Sequence, residues 1–331
     1  MNKGKRYDHE QKLNIKKVIA VVIALLVLCM FGLGVKKLLN VSGTDIDTSN
    51  IRYYTVYSDN KYGVINSKGE EVIAPAYAEY IVIPDHKKDV FICTYDVDYE
   101  NGTYKTSVLD KNAEGILKGY ELVEAIDNYD EGQNIWYEEN VLRVKKDGKY
   151  GLINFSGKEL LKCEYDSIES LKGVENSILV KKDGKLGIVN NTGRKVVDVK
   201  YDAIKPLTKD YMTGYIVIKD NQYGVSDISN KIIIDVKYED IKQISGDGIF
   251  VVKEDAKWKV VDKKGKILLD EQIDDISEIG NNIVFIKDAK YGVITKEGAE
   301  VIPAEYEDLK EALDNTYIAK QERKIWTYQY K

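Results

Sequence analysis

Short apolar runs recur along residues 51–331, each leading into a polar turn. Val141-Leu142-Arg143-Val144, Ile178-Leu179-Val180, Ile249-Phe250-Val251-Val252 and Ile283-Val284-Phe285-Ile286 are examples, and the first two run into Lys146-Asp147-Gly148-Lys149 and Lys182-Asp183-Gly184-Lys185. Asp-Gly tolerates positive φ and favours a primed two-residue hairpin, so each run predicts a strand that doubles back into a second one. The second strand opens on an aromatic or apolar residue, at Tyr62, Tyr150, Leu186, Tyr223, Trp258 and Tyr291. Seven positions later stands Gly69, Gly157, Gly193, Asn230, Gly265 or Gly298, after turn formers such as Asn66-Ser67-Lys68. These are the two residue types that best tolerate a left-handed backbone, so a second turn and a third strand follow. Fifteen positions after the opening residue come Tyr77, Tyr165, Tyr201, Tyr238, Ile273 and Tyr306, most of them leading acidic residues. A weaker seventh copy fits the same spacing with Lys105, Asn112 and Tyr120.

The period is that of a tandem repeat. Each unit predicts about three short antiparallel strands, with a fourth available from the stretch after the Tyr-acidic pair. Several strands are apolar on successive residues, so both faces need cover. Ordering a unit costs roughly 1.5 kcal/mol per residue, which one small sheet cannot offset, so units must stack. The expectation is an all-β domain of about seven and a half three- to four-stranded antiparallel repeats, either a β-propeller-like ring or an open β-repeat stack. Unit size and number favour the ring. Tyr317-Ile318-Ala319-Lys320 and Ile325-Trp326-Thr327-Tyr328 predict the opening hairpin of the half unit.

The recurring Lys61-Tyr62-Gly63-Val64-Ile65 to Ile73, and its copy from Lys290-Tyr291-Gly292 to Pro303, resembles the bacterial WG-repeat family. Gly151, Gly187 and Gly224 stand in the same slot as Gly63 and Gly292, whereas Trp258 is followed by Lys259. The resemblance covers residues 51–331. It implies a repeat scaffold of the kind common in envelope proteins, and it carries no catalytic residues to transfer.

A different pattern occupies the amino end. Val18 to Val35 is eighteen residues without a charge, about 27 Å as a helix and close to the ~30 Å hydrocarbon core. Six Lys/Arg precede it and only Lys36 and Lys37 follow closely. The positive-inside rule therefore predicts a cytoplasmic basic segment at 1–17, a single-pass signal-anchor helix at 18–35, a flexible linker at 36–50 and an extracytoplasmic repeat domain at 51–331. A cleaved signal peptide is the competing reading, but no Ala-x-Ala-like site follows the apolar run, and Leu28 before Cys29 makes a poor lipoprotein box.

Charge narrows the partners. The chain carries a formal −6, yet residues 41–331 hold 41 Lys/Arg against 53 Asp/Glu. An acidic outer domain excludes nucleic acid as an expected partner, and leaves envelope proteins or a wall polymer. Cys93 and Cys163 lie in different repeats without companion spacing, so no disulfide scaffold is expected.

No constellation predicts catalysis, a cofactor or a metal. His86 sits in a polar run, Asp85 to Asp89, and lacks a Cys or His at ligand spacing. Asp96 to Gly102 opens like a calcium loop, but its twelfth position is Ser107. Tyr supplies 25 of the 33 aromatic residues, and at the repeat slots the rings are expected to pack between units with hydroxyls at the rim. The spacing between opening residues is 43 and 45 in the first two units and 33 to 37 later. Insertions map to loops, and loops on a rigid scaffold carry recognition, so the candidate recognition loop holds Tyr129, Asp130, Trp136 and Tyr137. The reading is a non-catalytic binding or scaffolding module; the alternative is a wall-polymer or carbohydrate-binding protein, or an envelope hydrolase.

The topology has a direct check. Protease added to intact cells should digest an epitope placed after residue 331 and spare one placed before residue 1. Digestion of both, or release of the repeat domain into the medium, would overturn the anchor.

Overall fold

The computed structural model describes residues 51–329 apart from 131, 208–213, 246–247, 271, 280–281, 314–315 and 323. The basic segment, the anchor at 18–35 and the linker lie outside the described residues. Among those described the chain is strand and turn throughout, and no helix is long and apolar enough to cross a membrane.

Among the described residues eight antiparallel sheets form, and none closes into a barrel. The first contains β1 (Tyr53–Ser58), β2 (Lys61–Asn66) and β3 (Glu71–Tyr77), and the second β4 (Phe91–Asp98), β5 (Thr103–Leu109) and β6 (Gly115–Ile116). Next come β7 (Leu122–Tyr129), β8 (Ile135–Lys146), β9 (Lys149–Ile153) and β10 (Glu159–Tyr165), then β11 (Ser167–Ser170), β12 (Ile178–Lys182), β13 (Lys185–Val189) and β14 (Lys195–Tyr201). The fifth holds β15 (Ala203–Pro206), β16 (Gly214–Lys219), β17 (Gln222–Asp227) and β18 (Ile232–Tyr238), and the sixth β19 (Asp240–Ser245), β20 (Ile249–Glu254), β21 (Lys257–Asp262) and β22 (Ile267–Leu269). The last two are β23 (Asp275–Ile279), β24 (Asn282–Lys287), β25 (Lys290–Thr295) and β26 (Glu300–Tyr306), and β27 (Asp308–Leu313), β28 (Thr316–Gln321) and β29 (Lys324–Gln329). The chain divides into two compact units, one running to Tyr104 and including Leu109–Glu114, the other comprising Lys105–Val108 and Gly115–Lys331.

The fifteen-residue spacing is a hairpin register. Tyr62 pairs with Tyr77, Tyr150 with Tyr165, Leu186 with Tyr201, Tyr223 with Tyr238 and Tyr291 with Tyr306, each across a strand pair interrupted by register shifts. The Gly turn between them is built by one side chain. Asn66 Oδ1 accepts the N–H groups of Lys68 (2.9 Å) and Glu70 (3.1 Å), while Gly69 takes φ 78°. Asn154, Asn190, Asp227 and Asp262 repeat this arrangement. In the weaker copy the anchor is Asp110 and the left-handed residue is Ala113, φ 58°, so the turn sits one residue beyond the expected Asn112. An Asx anchor, more than a Gly, defines this turn.

Between β10 and β11, β14 and β15, β18 and β19, and β26 and β27 the chain crosses through a single acidic residue. Asp166 separates β10 from β11, and Asp202, Glu239, Asp274 and Glu307 stand at the equivalent place. The Asp166, Asp202, Glu239, Asp274 and Glu307 N–H groups donate to carbonyls of the second strand of the next sheet, those of Lys181, Ile218, Lys253, Ile286 and Lys320, at 2.7–2.8 Å. Their carboxylates reach that sheet's primed turn: Asp202 accepts the Asp220 N–H at 2.8 Å, Glu239 that of Ala256 at 3.1 Å and Asp274 that of Ala289 at 3.2 Å. The repeated acidic positions are thus turn caps joining one sheet to the next.

Packing in the second unit follows this order. Tyr165 (β10) shares a buried cluster with Ile168, Ile178 and Val180 of the following sheet, Tyr201 with Ile204 and Val217, Tyr238 with Ile241, Phe250 and Val252, and Tyr306 with Leu309 and Tyr317. On β20, Phe250 and Val252 face the preceding sheet and Ile249 the following one, which explains the unbroken apolar runs.

Glycine after the opening residue decides how far the strand that follows the Gly turn runs. A Cβ on Gly63 would stand 2.6 Å from Ile73 O and 2.8 Å from Pro75 N, and one on Gly151 would stand 2.6 Å from Leu161 O; Gly187 and Gly224 are pressed the same way by Val197 O and Ile234 O, and Gly292 by Phe285 and Ala304 N. Opposite these five glycines the strand is seven residues long. Where Lys259 fills the slot, β22 has three residues, and where Ser107 does, β6 has two.

Gly151→Ala should therefore cost about 1–3 kcal/mol and speed amide exchange along β10, whereas Lys259→Gly should leave the melting temperature nearly unchanged. Equal effects of the two changes would refute the steric rule.

Candidate functional site

The surplus residues of the second connection form a β-hairpin, where the sequence predicts a loop. Tyr129 pairs with Ile135, Asn128 with Trp136 and Asp127 with Tyr137, so β7 and β8 extend beyond the repeat pattern as far as Tyr129 and Ile135. Asp130 closes the tip: its N–H donates to Asn134 O, its Oδ1 accepts the Asn134 N–H at 3.0 Å and its Oδ2 the Asn134 Nδ2 at 3.0 Å.

Below the tip a buried polar cluster locks the hairpin to the turn at 171–177. Asn128, fully buried, donates through Nδ2 to Glu138 Oε1 (2.9 Å) and Val174 O (3.1 Å), and its Oδ1 accepts the N–H groups of Gly173 (3.0 Å) and Tyr129 (2.8 Å). Glu138, also buried, accepts the Asn176 N–H through Oε2 at 2.9 Å. Burial pushes the Glu138 carboxyl above the usual range, while the bonds from Asn128 and Asn176 pull the other way. Ser170 Oγ adds a bond to Asp127 O at 2.7 Å.

The predicted residues take different places. Tyr129 is exposed and carries the Lys172 ammonium 5.0 Å from its ring centroid. Beside it Ile135 is 74% exposed, the largest exposed aliphatic surface of the hairpin. Trp136 and Tyr137 are half-buried, and Trp136 Nε1 is shielded from solvent without a hydrogen-bond partner. Asp130 shapes the turn. Four residues that make the site, Asn128, Glu138, Ile135 and Lys172, carry no signal in the repeat pattern. A non-repeat Asn and Glu ten residues apart point to a clamp only once the hairpin register is known.

Beyond the 171–177 turn lies a cavity of about 220 Å³ with Val174, Val196 and Ile228 as apolar lining and Asn176, Asn190 and Arg194 as polar lining. Tyr215 also lines it, its hydroxyl 2.8 Å from Ser177 Oγ.

The remaining chemical candidates serve structure. His86 Nδ1 lies 2.6 Å from Tyr53 O, and His86 O accepts the Tyr53 N–H at 2.8 Å. Asp98 accepts the N–H groups of Glu100 and Asn101 in the β4–β5 tip. Cys93 and Cys163 are both unpaired, and burial lifts the Cys93 thiol to about 11, away from nucleophilic use. Among the described residues no group of three or more His, Cys, Asp or Glu side chains converges as a metal site would require.

Comparison with known proteins returns the repeat. The WG containing repeat matches residues 62–80, 150–185, 223–258 and 291–324, each beginning at an opening Tyr that is followed by Gly. No curated protein matches the chain. Among solved structures it is similar to a eukaryotic initiation factor (10% identity over 86% of this chain and 87% of that one, TM-score 0.32). Hsv2 of Kluyveromyces lactis (9%, 70% and 85%, TM-score 0.27) and PorZ of Porphyromonas gingivalis (10%, 63% and 34%, TM-score 0.24) are further similar chains. TM-scores this low carry no functional inference.

Asn128→Ala should lower stability by about 2–4 kcal/mol, since it strands the partners of several buried bonds, and should open the hairpin to limited proteolysis. Because the folded Glu138 pKa lies above its unfolded value, native protein binds the extra proton in that window. Stability should therefore fall as pH rises from the ordinary carboxylate range through the folded value, and Glu138→Gln should flatten that part of the profile. An unchanged pH profile in Glu138→Gln would count against the clamp's protonation.

Proposed function

We propose that this chain is a non-catalytic binding scaffold of a bacterial-type cell envelope. Residues 18–35 anchor it as a single pass with the amino terminus in the cytoplasm, and the repeat domain faces outward to dock a partner protein. Four matches to a WG containing repeat and a body of stacked sheets support the scaffold reading. The observation that carries the docking surface is the pairing of exposed Tyr129 and Ile135 with the buried Asn128–Glu138 clamp beneath them. A rigid tip presenting an aromatic and an aliphatic side chain loses little conformational entropy when a partner covers it. The acidic balance of residues 41–331 argues against nucleic acid, and the reading needs neither cofactor nor metal.

Cross-linking of cells carrying the full chain should yield a partner adduct that Ile135→Asp with Tyr129→Ser reduces about tenfold at unchanged melting temperature, while sedimentation with purified wall stays the same. Loss of wall sedimentation in that double variant, with the adduct intact, would transfer the function to a wall polymer. Hydrolysis of wall material abolished by one acidic substitution would reassign the chain as an enzyme.

A further inference from the structure

The first unit carries a file of tyrosine rings with exposed faces. Tyr57, 51% exposed at the end of β1, pairs with Tyr62 at the start of β2, their ring centroids 4.7 Å apart. Tyr80, 54% exposed, stands 5.6 Å from Tyr62 edge to face. Tyr99, 78% exposed on the β4–β5 tip, donates its hydroxyl to Glu79. Burial, then Tyr57, Glu79 and Tyr80, hold the Tyr62 phenol above its usual range.

The repeat itself shows what the opening ring takes on its face. Tyr150 lies opposite Lys145, whose ammonium sits 5.5 Å from the ring centroid, and Trp258 lies opposite Lys253 at 5.8 Å. Trp258 also receives Lys242 at 4.8 Å, and Tyr223 receives Lys205 at 5.8 Å. Tyr291, opposite Ile286, packs against the buried cluster its sheet shares with the next. At Tyr62 the place of that lysine belongs to Tyr57, and among the described residues no Lys or Arg lies over Tyr57, Tyr62 or Tyr80. Ring faces attract ammonium and guanidinium groups, and a neighbouring carboxylate adds to the attraction. Glu79 and Asp59 flank the file.

We infer that Tyr57, Tyr62 and Tyr80, with Glu79 held by Tyr99, form a receptor ledge for a polypeptide segment bearing two or more Lys or Arg side chains. Tyr57 and Tyr80, exposed on either side of Tyr62, offer more face than one cation covers, which favours a segment over a single amine. The ledge involves the first unit alone and does not depend on the hairpin of the second.

The test is fluorescence anisotropy on the full chain in non-ionic detergent. The probes are labelled acetyl-Lys-Ser-Lys-Ser-Lys-amide, its glutamate counterpart and a labelled chitohexaose. The lysine peptide should bind saturably and weaken with salt, and the other two should not bind. Tyr57→Lys, which restores the repeat's own lysine over the Tyr62 ring, Tyr80→Leu and Glu79→Gln should each weaken it roughly three- to tenfold, whereas Tyr80→Trp should hold or improve affinity. Tyr129→Ser should leave it unchanged, separating this site from the hairpin. Melting curves identify variants that misfold, and Tyr80→Leu, at an exposed ring, keeps the question open to refutation if Tyr57→Lys does. Failure of the lysine peptide to bind, or affinity indifferent to both Tyr80→Leu and Glu79→Gln, would overturn the ledge. Chitohexaose binding lost in Tyr80→Leu would overturn the cationic ligand in favour of a glycan.

Discussion

Everything in this chain rests on the need of each small sheet to cover two apolar faces. A meander of three or four short strands cannot order itself on its own interior. In the second unit each face is closed by the next sheet in sequence, through clusters that join Tyr165 to Ile168 and Ile178, Tyr201 to Ile204, Tyr238 to Phe250, and Tyr306 to Tyr317. Contacts of this kind are local in sequence, so stability accrues sheet by sheet in the manner of a one-dimensional array.

The acidic residue between sheets makes that array regular. Its backbone N–H joins the second strand of the next sheet, and in several copies its carboxylate caps the primed turn there, so one residue sets both the step and the orientation of the following hairpin. Salt links such as Lys149 to Asp166 and Lys185 to Asp202 decorate the same position, but they lie open to solvent and contribute little. Regularity of this sort leaves variation to the hairpin tips and the strand edges. The β7–β8 extension and the tyrosine file are both departures from the repeat: the first exposes Tyr129 and Ile135 at its tip, and the second exposes Tyr57 and Tyr80 where other copies carry a lysine over the opening ring.

The glycine slot shows how a weak motif gains meaning from geometry. Aromatic-Gly reads in one dimension as a repeat marker. In three dimensions the glycine is the gap against which the bulged strand after the Gly turn presses its backbone, and Ser107 and Lys259 mark the sheets where that strand is short. The second copy's register slipped by one residue at Ala113 for a related reason: the turn follows the Asx anchor Asp110, which the spacing of Asn112 does not reveal.

Strand identity, the two kinds of turn, the antiparallel meander and the need for stacking were legible in the residues alone, because they follow from local periodicity and from which residues tolerate positive φ. The insertion that carries the candidate site was also visible, as surplus spacing around Tyr129 and Trp136. Its hairpin form, the Asn128–Glu138 clamp, the exposure of Ile135 and the uncovered faces of Tyr57 and Tyr80 were not. Each depends on which residue lies across from which on another strand, or on a loop 45 residues away as Gly173 is from Asn128, and only tertiary structure sets such long-range pairings.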